Sequence, residues 1–262
     1  MTTFERRQNI LDIMRKQPGL SIREFSEMFK VSQGTIRNDL NALAEQNLIS
    51  RVRGGGTITP ALSITSNSGF TNRLTVNEAS KRMIGREAAL LVENGDAILL
   101  DASTTVFHMA QFLAKHNYLR VITNGIEVAR FLAQNPTNTV MVVGGMLKAG
   151  SQSVLGPWSE QFLKGLCTKT AFVSCSGFTP EGGMTEVDVF EAQFRIQAIG
   201  ASTNVVALID SEKFGKIDLT TSLRINQISH LYTDSSLNQD WINRLKQKGI
   251  AFTICEEENA GV

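Results

Sequence analysis

A run of small, hydroxyl-bearing residues at 101–105 follows the apolar segment Ala97–Leu100 and precedes a segment with helical spacing. Such a loop ends a buried strand and begins a helix. Backbone N–H groups and the helix dipole favour an anion there, and the hydroxyls of Ser103, Thr104 and Thr105 add further donors. The pattern predicts a phosphate cradle, although the same residue types also serve as plain helix N-caps.

Four further loops, rich in glycine or polar residues, follow neighbouring predicted strands at 123–125, 144–145, 176–178 and 210–215. The carboxyl ends of parallel strands meet at one edge of a sheet, where ligands bind. We therefore expect one site for a phosphorylated small ligand. Lys213 is the candidate counter-charge, with an exposed loop lysine as the alternative. The chain has no Walker lysine motif and no G-x-G-x-x-G, which favours a small anionic metabolite over a nucleotide.

An acidic stretch surrounds a pair of glycines and contains Glu181, Glu186, Asp188 and Glu191. Carboxylates held close together can act as acid and base. The alternative is that they are solvated acids of loops and helix starts. Asp188 and Glu191 in particular suit the N-terminus of a helix.

The histidines and cysteines show no metal-ligand spacing. The histidines are scattered, which indicates surface or internally bonded side chains. The cysteines lie far apart or inside apolar runs, which indicates buried thiols in a reducing compartment rather than disulfides or a zinc site. We expect neither a metal nor a cofactor. These residues are His108, His116, His230, Cys167, Cys175 and Cys255.

The elements that must position such residues begin with three predicted helices near the N-terminus. The first covers about residues 4–16, and the third covers about 32–45 with Ser32 as its candidate N-cap. The second opens with Ser21 and Glu24, a capping-box pair. The apolar face of the second helix consists of Ile22, Phe25, Met28 and Phe29.

The third helix has one apolar and one polar face. Ile36, Leu40 and Leu43 share the buried face. In a helix-turn-helix the polar face lies in the major groove, where arginine pairs with guanine and asparagine or glutamine with adenine. Gly34 indicates either close approach to the DNA backbone or mere tolerance near the helix start. The alternative is a small helical bundle with a solvated polar face. The candidate DNA-contacting residues here are Ser32, Gln33, Thr35, Arg37 and Asn38.

Two β-prone pieces around the glycines at 54–56 predict a hairpin, the wing of a winged helix-turn-helix. Its Arg51 and Arg53 suit phosphate or minor-groove contact. The DNA-binding domain is thus predicted over residues 1–58. Residues 59–76, rich in Ser, Thr, Asn and Gly, are predicted to form a linker.

Residues 77–262 alternate apolar strand-like runs with helical segments. The runs are continuous rather than alternating, which indicates strands buried on both faces. The fold class predicted for this part is α/β, a Rossmann-like, mostly parallel sheet. The predicted strands lie near 97–100, 120–123, 139–143, 171–174, 205–209, 229–232 and 252–255.

Composition and charge agree with a globular DNA-binding protein. Hydrophobic residues make up 42% and charged residues 19%, and the net charge is only +1. Residues 1–56 hold nine basic and six acidic residues, a net of +3, against a net of −2 in the rest. A basic head suits a DNA-binding module attached to another domain. Without a secretory signal or an apolar run of about 20 residues, we expect a cytoplasmic protein with no membrane partner.

Several motifs occur in a characteristic order. The head carries Glu-Arg-Arg-x-x-Ile at 5–10, Val-Ser-x-x-Thr-Ile-Arg-Asn-Asp-Leu at 31–40 and Leu-Ile-Ser-Arg-Val-Arg-Gly-Gly at 48–55. The remainder carries Asp-Ala-Ser-Thr-Thr at 101–105, Val-Ile-Thr-Asn at 121–124, Gly-Gly at 144–145, Ser-Val-Leu-Gly-Pro at 153–157 and Asp-Ser-Glu-Lys-Phe-Gly at 210–215. Over nearly its full length the chain resembles the DeoR family of bacterial sugar-metabolism regulators.

The resemblance implies a C-terminal body similar to phosphosugar isomerases that senses a phosphorylated sugar or related metabolite, in a homodimer or homotetramer. The chain differs from the family pattern at three places. Asn38 replaces a more usual arginine, Arg53 replaces a histidine, and residues 174–177 replace a Gly-Ala-Asp-Gly-like loop. The residues that match the effector-site motifs are Asp101, Ser103, Thr104, Thr105, Asn124, Gly144, Gly145 and Lys213.

The predicted function is a repressor of a carbohydrate-catabolism operon, not an enzyme. A bound sugar phosphate would shift it to a DNA-incompetent arrangement, although some regulators need their ligand to bind DNA. One alternative is a sugar-phosphate isomerase with an accessory DNA-binding head and Asp101 or Glu186 as its base. Another is a scaffold that uses the head for protein contacts.

Overall fold

A computed structural model of the chain describes residues 3–16, 20–45, 49–52, 55–58 and 69–256. Internal contacts divide the chain into two compact units, Met1–Ser66 and Asn67–Val262, which we call the head and the body. Among the described residues, no helix is both long and apolar enough to cross a membrane.

The head consists of three helices followed by a hairpin. Its helices are α1 (Thr3–Lys16), α2 (Ile22–Phe29) and α3 (Gln33–Glu45). Strand β1 (Ile49–Val52) pairs antiparallel with β2 (Gly55–Ile58). The winged helix-turn-helix predicted from the sequence is confirmed.

The core of the head is formed by the apolar faces of the three helices. Ile36, Leu40 and Leu43 of α3 are buried as predicted. Phe25 of α2 is also fully buried. The prediction that Met28 belongs to this core is wrong, because its side chain is 53% exposed. Residues at i, i+3 and i+7 define the buried stripe of α2, and Met28 lies about a quarter turn away from it.

A seven-stranded, wholly parallel sheet forms the centre of the body, which confirms the predicted α/β class. All seven predicted strands are present. In spatial order they are β14 (Phe252–Cys255), β13 (His230–Asp234), β11 (Ser202–Leu208), β8 (Thr168–Val173), β3 (Ala97–Leu100), β4 (Arg120–Thr123) and β5 (Thr139–Val142).

Both faces of this sheet are covered by helices, which explains the continuous apolar runs. Ile98 and Leu100 of β3 belong to a core shared with the helices over one face. Leu99, between them, belongs to a second core on the other face. The helices of the body are α4 (Phe70–Thr75), α5 (Glu78–Ala89), α6 (Thr104–Phe112), α7 (Ile126–Leu132), α8 (Pro157–Leu163), α9 (Val189–Gly200) and α10 (Gln239–Gln247).

Helix α4 differs from the sequence-based expectation, since its residues were assigned to the linker. It forms because Phe70 is buried and packs edge-on against Phe107, with ring centroids 5.5 Å apart. The backbone N–H of Phe70 also donates to the carbonyl of Gly150 at 2.8 Å. One buried aromatic residue thus anchors a segment whose composition is otherwise that of a loop.

Two small antiparallel sheets were not predicted from the sequence. One is the hairpin of β6 (Met146–Lys148) and β7 (Ser153–Leu155). The other has the order β12 (Thr220–Leu223), β10 (Gly183–Glu186), β9 (Gly177–Thr179). Their strands have only three or four residues, too short for a clear alternation of apolar and polar side chains.

The order of strands creates a switch point between β3 and β8. From β3 the chain proceeds through β4 and β5 to one edge, and then returns to β8 on the opposite side of β3. Open parallel sheets bind ligands at such a point, at the carboxyl ends of the strands. We call the region around the loops that follow β3 and β8 the crevice.

Candidate functional site

In the head, α3 has a polar, exposed face, and two local hydrogen bonds fix the N-terminus of this helix. The Ser32 hydroxyl accepts from the backbone N–H of Thr35 at 3.1 Å, which confirms the predicted N-cap. The two hydroxyls of Ser32 and Thr35 also bond each other at 2.9 Å. Gln33, Arg37 and Asn38 are exposed. The candidate DNA-contacting residues of this helix thus lie at its start or along its exposed face. They are Ser32, Gln33, Thr35, Arg37 and Asn38.

A buried ion-pair network docks α3 on α1. Asp39, only 1% exposed, accepts from Arg6 Nε at 2.6 Å and from Arg7 Nε at 2.9 Å. Sequence analysis counted these arginines as part of a basic head and missed this contact, which spans 33 residues along the chain. The network orients α3 from its buried side while its polar side stays outside.

Two other elements of the predicted DNA interface are Gly34 and the wing, of which the wing is described only in part. A Cβ on Gly34 would meet nothing nearer than the Ser32 hydroxyl at 3.5 Å, so the head itself does not require glycine there. In the wing, the backbone of Arg51 pairs with Gly56. The Arg51 side chain and all of Arg53 lie outside the described residues.

In the body, Asp101 accepts hydrogen bonds from several elements around the crevice between β3 and β8. Its carboxylate is 1% exposed. Oδ1 accepts from the backbone N–H of Ser103 at 2.8 Å, and Oδ2 accepts from the N–H of Ser174 at 2.9 Å. Arg195 on α9 also donates through Nε to Oδ2 at 3.1 Å. Asp101 therefore ties together the loops after both switch-point strands and a helix from one face.

Arg195 joins Asp101 to two more carboxylates, those of Glu186 and Glu191. Its guanidinium lies 3.4 Å from each of them. Burial disfavours the charged form of Arg195, but the three carboxylates outweigh this and raise its pKa. Burial raises the pKa of Glu186 to about 7, against the lowering effect of Arg195. The solvated interpretation is therefore wrong for Glu186, because β10 places it beneath α9 and not in an open loop.

The other acidic residues have structural partners. Asp188 caps α9 by accepting from the N–H groups of Phe190 and Glu191, and it forms an ion pair with Lys148 at 2.7 Å. Glu181 is exposed and pairs with Arg244. The expectation that Asp188 and Glu191 lie at a helix N-terminus is confirmed.

Lys213 lies at the same crevice and reaches across it. Its ammonium donates to the Ser174 hydroxyl at 2.8 Å and to the Thr105 hydroxyl at 3.5 Å, and it pairs with Asp210 at 3.2 Å. Burial opposes the charge of Lys213, but Asp210 outweighs burial and raises its pKa. Lys213 is thus a charged ammonium beside the hydroxyls of the 101–105 loop and is not an exposed loop lysine.

The loop itself begins α6. The Ser103 hydroxyl caps α6 by accepting from the N–H of Val106 at 3.2 Å. Thr104 and Thr105 occupy the first turn and are buried. Ser103 is thus an N-cap, as one interpretation of this sequence expects, and the phosphate cradle stays a prediction, with the Thr105 hydroxyl 3.5 Å from the Lys213 ammonium.

Asn124, a candidate effector-site residue after β4, has a buried amide with unusual surroundings. It is fully buried, yet neither its amide nitrogen nor its amide oxygen has a hydrogen-bond partner within the described part of the chain. Buried polar atoms without partners are costly, so native proteins rarely leave them unsatisfied. Its loop lies against the 101–105 loop, because a Cβ on Gly125 would come within 2.9 Å of the Ala102 Cα.

Gly144 and Gly145 have contacts of a different kind. The Gly144 carbonyl accepts from the Ser159 hydroxyl at 2.7 Å. A Cβ on Gly145, whose φ is +155°, would come within 2.5 Å of the Leu155 carbonyl oxygen and 2.6 Å of the Ser159 hydroxyl. Gly145 thus lets the chain pass close to β7 and α8, whereas a Cβ on Gly144 would meet nothing within 4 Å in the described part of the chain.

Two cations that no sequence motif singled out, Arg73 and Lys81, interact electrostatically with charged residues of the crevice. Lys81 on α5 is buried and donates to the carbonyls of Arg73 and Val76. Burial, together with nearby Lys213, lowers the pKa of Lys81 to about 8. No motif pointed to either residue, because they approach the site from a segment that was assigned to the linker and from the helix after it.

The histidines and cysteines mostly behave as expected. Each histidine has one ring nitrogen within 3.1 Å of an oxygen of the chain, and two of the three thiols are buried. Cys167 is exposed, contrary to expectation, because it lies in the connection before β8 and outside the sheet. No group of three or more metal-ligating side chains occurs among the described residues.

Comparison with known proteins covers both units. A family model described as a DeoR-like helix-turn-helix domain matches residues 6–60, and the DeoR C terminal sensor domain matches residues 76–235. The HTH-type transcriptional regulator GolR of Listeria innocua is 32% identical over 98% of this chain and 100% of that protein. The glycerol-3-phosphate regulon repressor of Escherichia coli is 30% identical over 97% and 100%.

Among solved structures, ribose 5-phosphate isomerase A from Methanocaldococcus jannaschii is similar to part of the chain. The TM-score is 0.38 at 16% identity, over 53% of this chain and 55% of that one. Together the two family models cover the helix-turn-helix of the head and six of the seven strands of the parallel sheet, all but β14. The chain belongs to the DeoR family of helix-turn-helix transcriptional regulators.

Proposed function

We propose that this regulator represses a carbohydrate-catabolism operon and that a phosphorylated sugar or related metabolite releases it from its operator. The observation that carries the proposal is the crevice at the switch point. There the Asn124 amide, which has no hydrogen-bond partner within the described part of the chain, and the Lys213 ammonium, which donates to Thr105 in the first turn of α6, lie at the carboxyl edge of the sheet. Relatives named as repressors of the glycerol-3-phosphate regulon and of the aga operon support a carbohydrate-linked role.

On the DNA side, the polar face of α3 reads base edges in the major groove. Arg37 pairs with guanine, while Gln33 and Asn38 suit adenine. Ser32 and Thr35 contact phosphate at the start of the helix. The wing arginines, Arg51 and Arg53, add contacts to phosphate or the minor groove.

On the ligand side, the phosphate binds between the first turn of α6 and Lys213. Thr104, Thr105 and the α6 backbone supply donors, and the Lys213 ammonium supplies the counter-charge. Asn124 satisfies its amide on the sugar hydroxyls. Asp101 and Ser103 shape the loop, and Gly144 with Gly145 form the neighbouring wall.

The body acts as a sensor and not as a catalyst. The isomerase alternative needs a free carboxylate beside the sugar, and Glu186 has a pKa near that of a general base. However, Glu186 is held by Arg195 and by the hydroxyls of Ser176 and Ser222. Both oxygens of Asp101 accept hydrogen bonds. We expect no turnover of triose, pentose or hexose phosphates, and any product detected would restore the enzyme hypothesis.

The active species is a cytoplasmic homodimer or homotetramer. A helix-turn-helix dimer places two recognition helices about one helical turn of DNA apart. Two heads therefore read a two-fold symmetric operator. Light scattering of the protein with and without DNA measures the oligomer size.

The test begins with an operator selected from fragments of the source genome by the native protein. Operator release is then titrated with a panel of triose, pentose and hexose phosphates at fixed salt. We expect Lys213→Ala to raise the releasing concentration at least about tenfold, since a hydrogen bond to a charged group contributes roughly 1.5–3 kcal/mol. Lys216→Ala is the matched control, because Lys216 is an exposed lysine three residues further along the chain. Release of the Lys213 variant at native concentrations would overturn the phosphate role.

Binding of α3 to operator DNA is tested with a separate variant, Arg37→Ala. Arg37→Ala, on the exposed face of α3, is expected to weaken operator binding by about 1–3 kcal/mol without unfolding the head. Arg23→Ala on the exposed side of α2 serves as the control. Unchanged operator affinity of the Arg37 variant at fixed salt would contradict base reading by this residue.

A further inference from the structure

Large apolar side chains are exposed on one side of the body, around α8 and α9. Trp158 and Phe162 lie about one turn apart on α8, and Val189 and Ile196 lie about two turns apart on α9. The exposed fraction of these four side chains runs from 37% to 73%. With two neighbours they form what we call the apolar face. It consists of Met146, Trp158, Phe162, Val189, Phe190 and Ile196.

The elements that carry the apolar face are neighbours. Buried residues of α8 and α9 belong to one core, so these helices pack side by side. The side chain of Met146 on β6 reaches the start of α8, since a Cβ on Gly156 would meet its Cε at 3.1 Å. Lys148, two residues further along β6, pairs at 2.7 Å with Asp188, the N-cap of α9. The β6–β7 hairpin, α8 and α9 therefore form one surface.

The exposed side of α9 carries no charged side chain among the described residues 189–200. The two charged residues of this helix, Glu191 and Arg195, have side chains only 13% and 5% exposed, and they pair with each other on its inner side. Helix α10, by contrast, exposes Asp240 and Lys246. A helix that is apolar on its inner and its outer side is typically buried in a larger structure. The composition of α9 therefore indicates a helix that another surface covers.

The exposed area fits an interface between two protein chains. The six side chains of the apolar face expose on the order of 600 Å², given about 150–250 Å² for a whole aromatic side chain. A standard interface buries about 800 Å² per partner, and in homodimers about 65% of this area is apolar, which is roughly 500 Å². Tryptophan, phenylalanine and methionine are also the residue types that are enriched in interfaces. The apolar face is thus large enough for the core of a stable interface.

A second copy of the same chain is the partner that suits this surface. In a two-fold symmetric dimer the same patch occurs on both subunits, so the patch must be complementary to itself. An uncharged patch meets this condition, because it places no like charges opposite each other. The Lys148–Asp188 pair at its border carries both signs, so it also tolerates a symmetric copy.

We propose that the apolar face is the surface through which two copies of the body associate. This proposal rests on the proposed function, in which two heads read one operator, and it adds where the subunits meet. It also links the interface to the crevice. Arg195 on α9 donates to Asp101 at 3.1 Å, while the next residue, Ile196, belongs to the apolar face. A shift of α9 at the crevice therefore reaches the second subunit directly.

The first experiment measures the association of the full chain by analytical ultracentrifugation over a concentration series. Trp158→Glu and Phe190→Glu each place a charge on the apolar face. We expect each variant to raise the dissociation constant of the dimer at least about a hundredfold, because both copies carry the change and aromatic anchors dominate interface affinity. Leu90→Glu is the matched control, since Leu90 is 75% exposed at the end of α5 and lies outside the apolar face. Circular dichroism checks that all three variants are folded.

The second experiment leaves the apolar face intact. The chain has two tryptophans, Trp158 and Trp241, so Trp241→Phe leaves Trp158 as the single indole fluorophore. Its side chain is 73% exposed in one copy of the chain. We expect quenching of its fluorescence by acrylamide to fall as the protein concentration rises through the dissociation constant of the dimer. Equal quenching in monomer and dimer would contradict the proposal, and so would an indole that is already shielded in the monomer.

The outcomes separate this proposal from the function on which it rests. If native protein is dimeric and both glutamate variants associate as tightly, the proposed surface is overturned and the repressor function stands. A native tetramer that the two variants split into dimers supports the proposal, because the apolar face is then one of two interfaces. If native protein is monomeric both with and without operator DNA, the oligomer of the proposed function and this interface fail together.

Discussion

At the scale of single residues, the body is organised around buried charges. Asp101, Glu186 and Glu191 surround one arginine, Arg195, whose side chain is 5% exposed. Such a cluster is stable only where every member has a partner, because an unpaired buried charge costs several kcal/mol. The α9 side of the crevice is therefore held together by paired charges.

Glu186 makes the stability of the body depend on pH. Its pKa of about 7 in the folded chain exceeds the ordinary 4.5, so the folded state keeps a proton that the unfolded state releases. The stability from this proton is complete below about pH 4.5 and is lost as the pH rises through about 7. We expect Glu186→Gln, which remains neutral, to be more stable than native protein at pH 8 by on the order of 1–3 kcal/mol.

The measurement is urea unfolding of the body at pH 5 and pH 8, where the two proteins are expected to converge at the lower pH. Glu181→Gln is the control, because it is expected to change the stability at pH 8 in the opposite direction. Its carboxylate is exposed, and the pairing with Arg244 outweighs burial and lowers its pKa, so the substitution removes a small stabilising effect at pH 8. An equal loss of stability at both pH values in Glu186→Gln would mean that packing, not charge, governs this position.

At the scale of elements, the recognition helix depends on the network beneath it. Asp39 fixes α3 to α1 through Arg6 and Arg7. Removal of the Asp39 charge leaves Arg6 and Arg7 without their counter-charge. We expect Asp39→Asn to destabilise the head by on the order of 3 kcal/mol and to abolish operator binding through loss of the fold.

The readout is circular dichroism at a temperature where the native head remains folded, with operator binding measured in parallel. Glu27→Gln provides the contrast, because Glu27 pairs with Arg23 in an exposed i, i+4 pair that contributes less than about 0.5 kcal/mol. If Asp39→Asn keeps the stability of the head but loses DNA binding, Asp39 acts at the DNA and not through α1.

At the scale of the whole molecule, the chain has separate hydrophobic cores. The core of the head contains Ile10, Phe25 and Leu40, and those of the body pack on the two faces of the parallel sheet. We expect two unfolding transitions in calorimetry. A sugar phosphate that binds the body shifts only the body transition to higher temperature. At a ligand concentration one hundred times the dissociation constant, it raises the free energy of unfolding of the body by about 2.7 kcal/mol. A single transition that shifts as a whole would show that the units unfold cooperatively.

Patterns over short stretches of sequence determined much of this architecture. The seven parallel strands, the capped α3 with its buried Ile36 and Leu40, and the approach of Lys213 to the 101–105 loop all follow from periodicity and from the rule that strand ends share one edge. The switch point, however, depends on the order of strands in space. Seven parallel strands can be ordered in many ways, and only the structure places β8 beside β3.

The partners of the buried charges could not be read from the sequence. Asp101 meets Arg195 across 94 residues, and Asp39 meets Arg6 across 33. Local periodicity shows which side of an element is apolar, but not which distant element covers it or which charge arrives with that element. The sequence by itself determined the two units and the edge of the sheet at which we propose that a ligand binds. The tertiary structure decided which arginine reaches that edge, since long-range packing alone brings α9 to it.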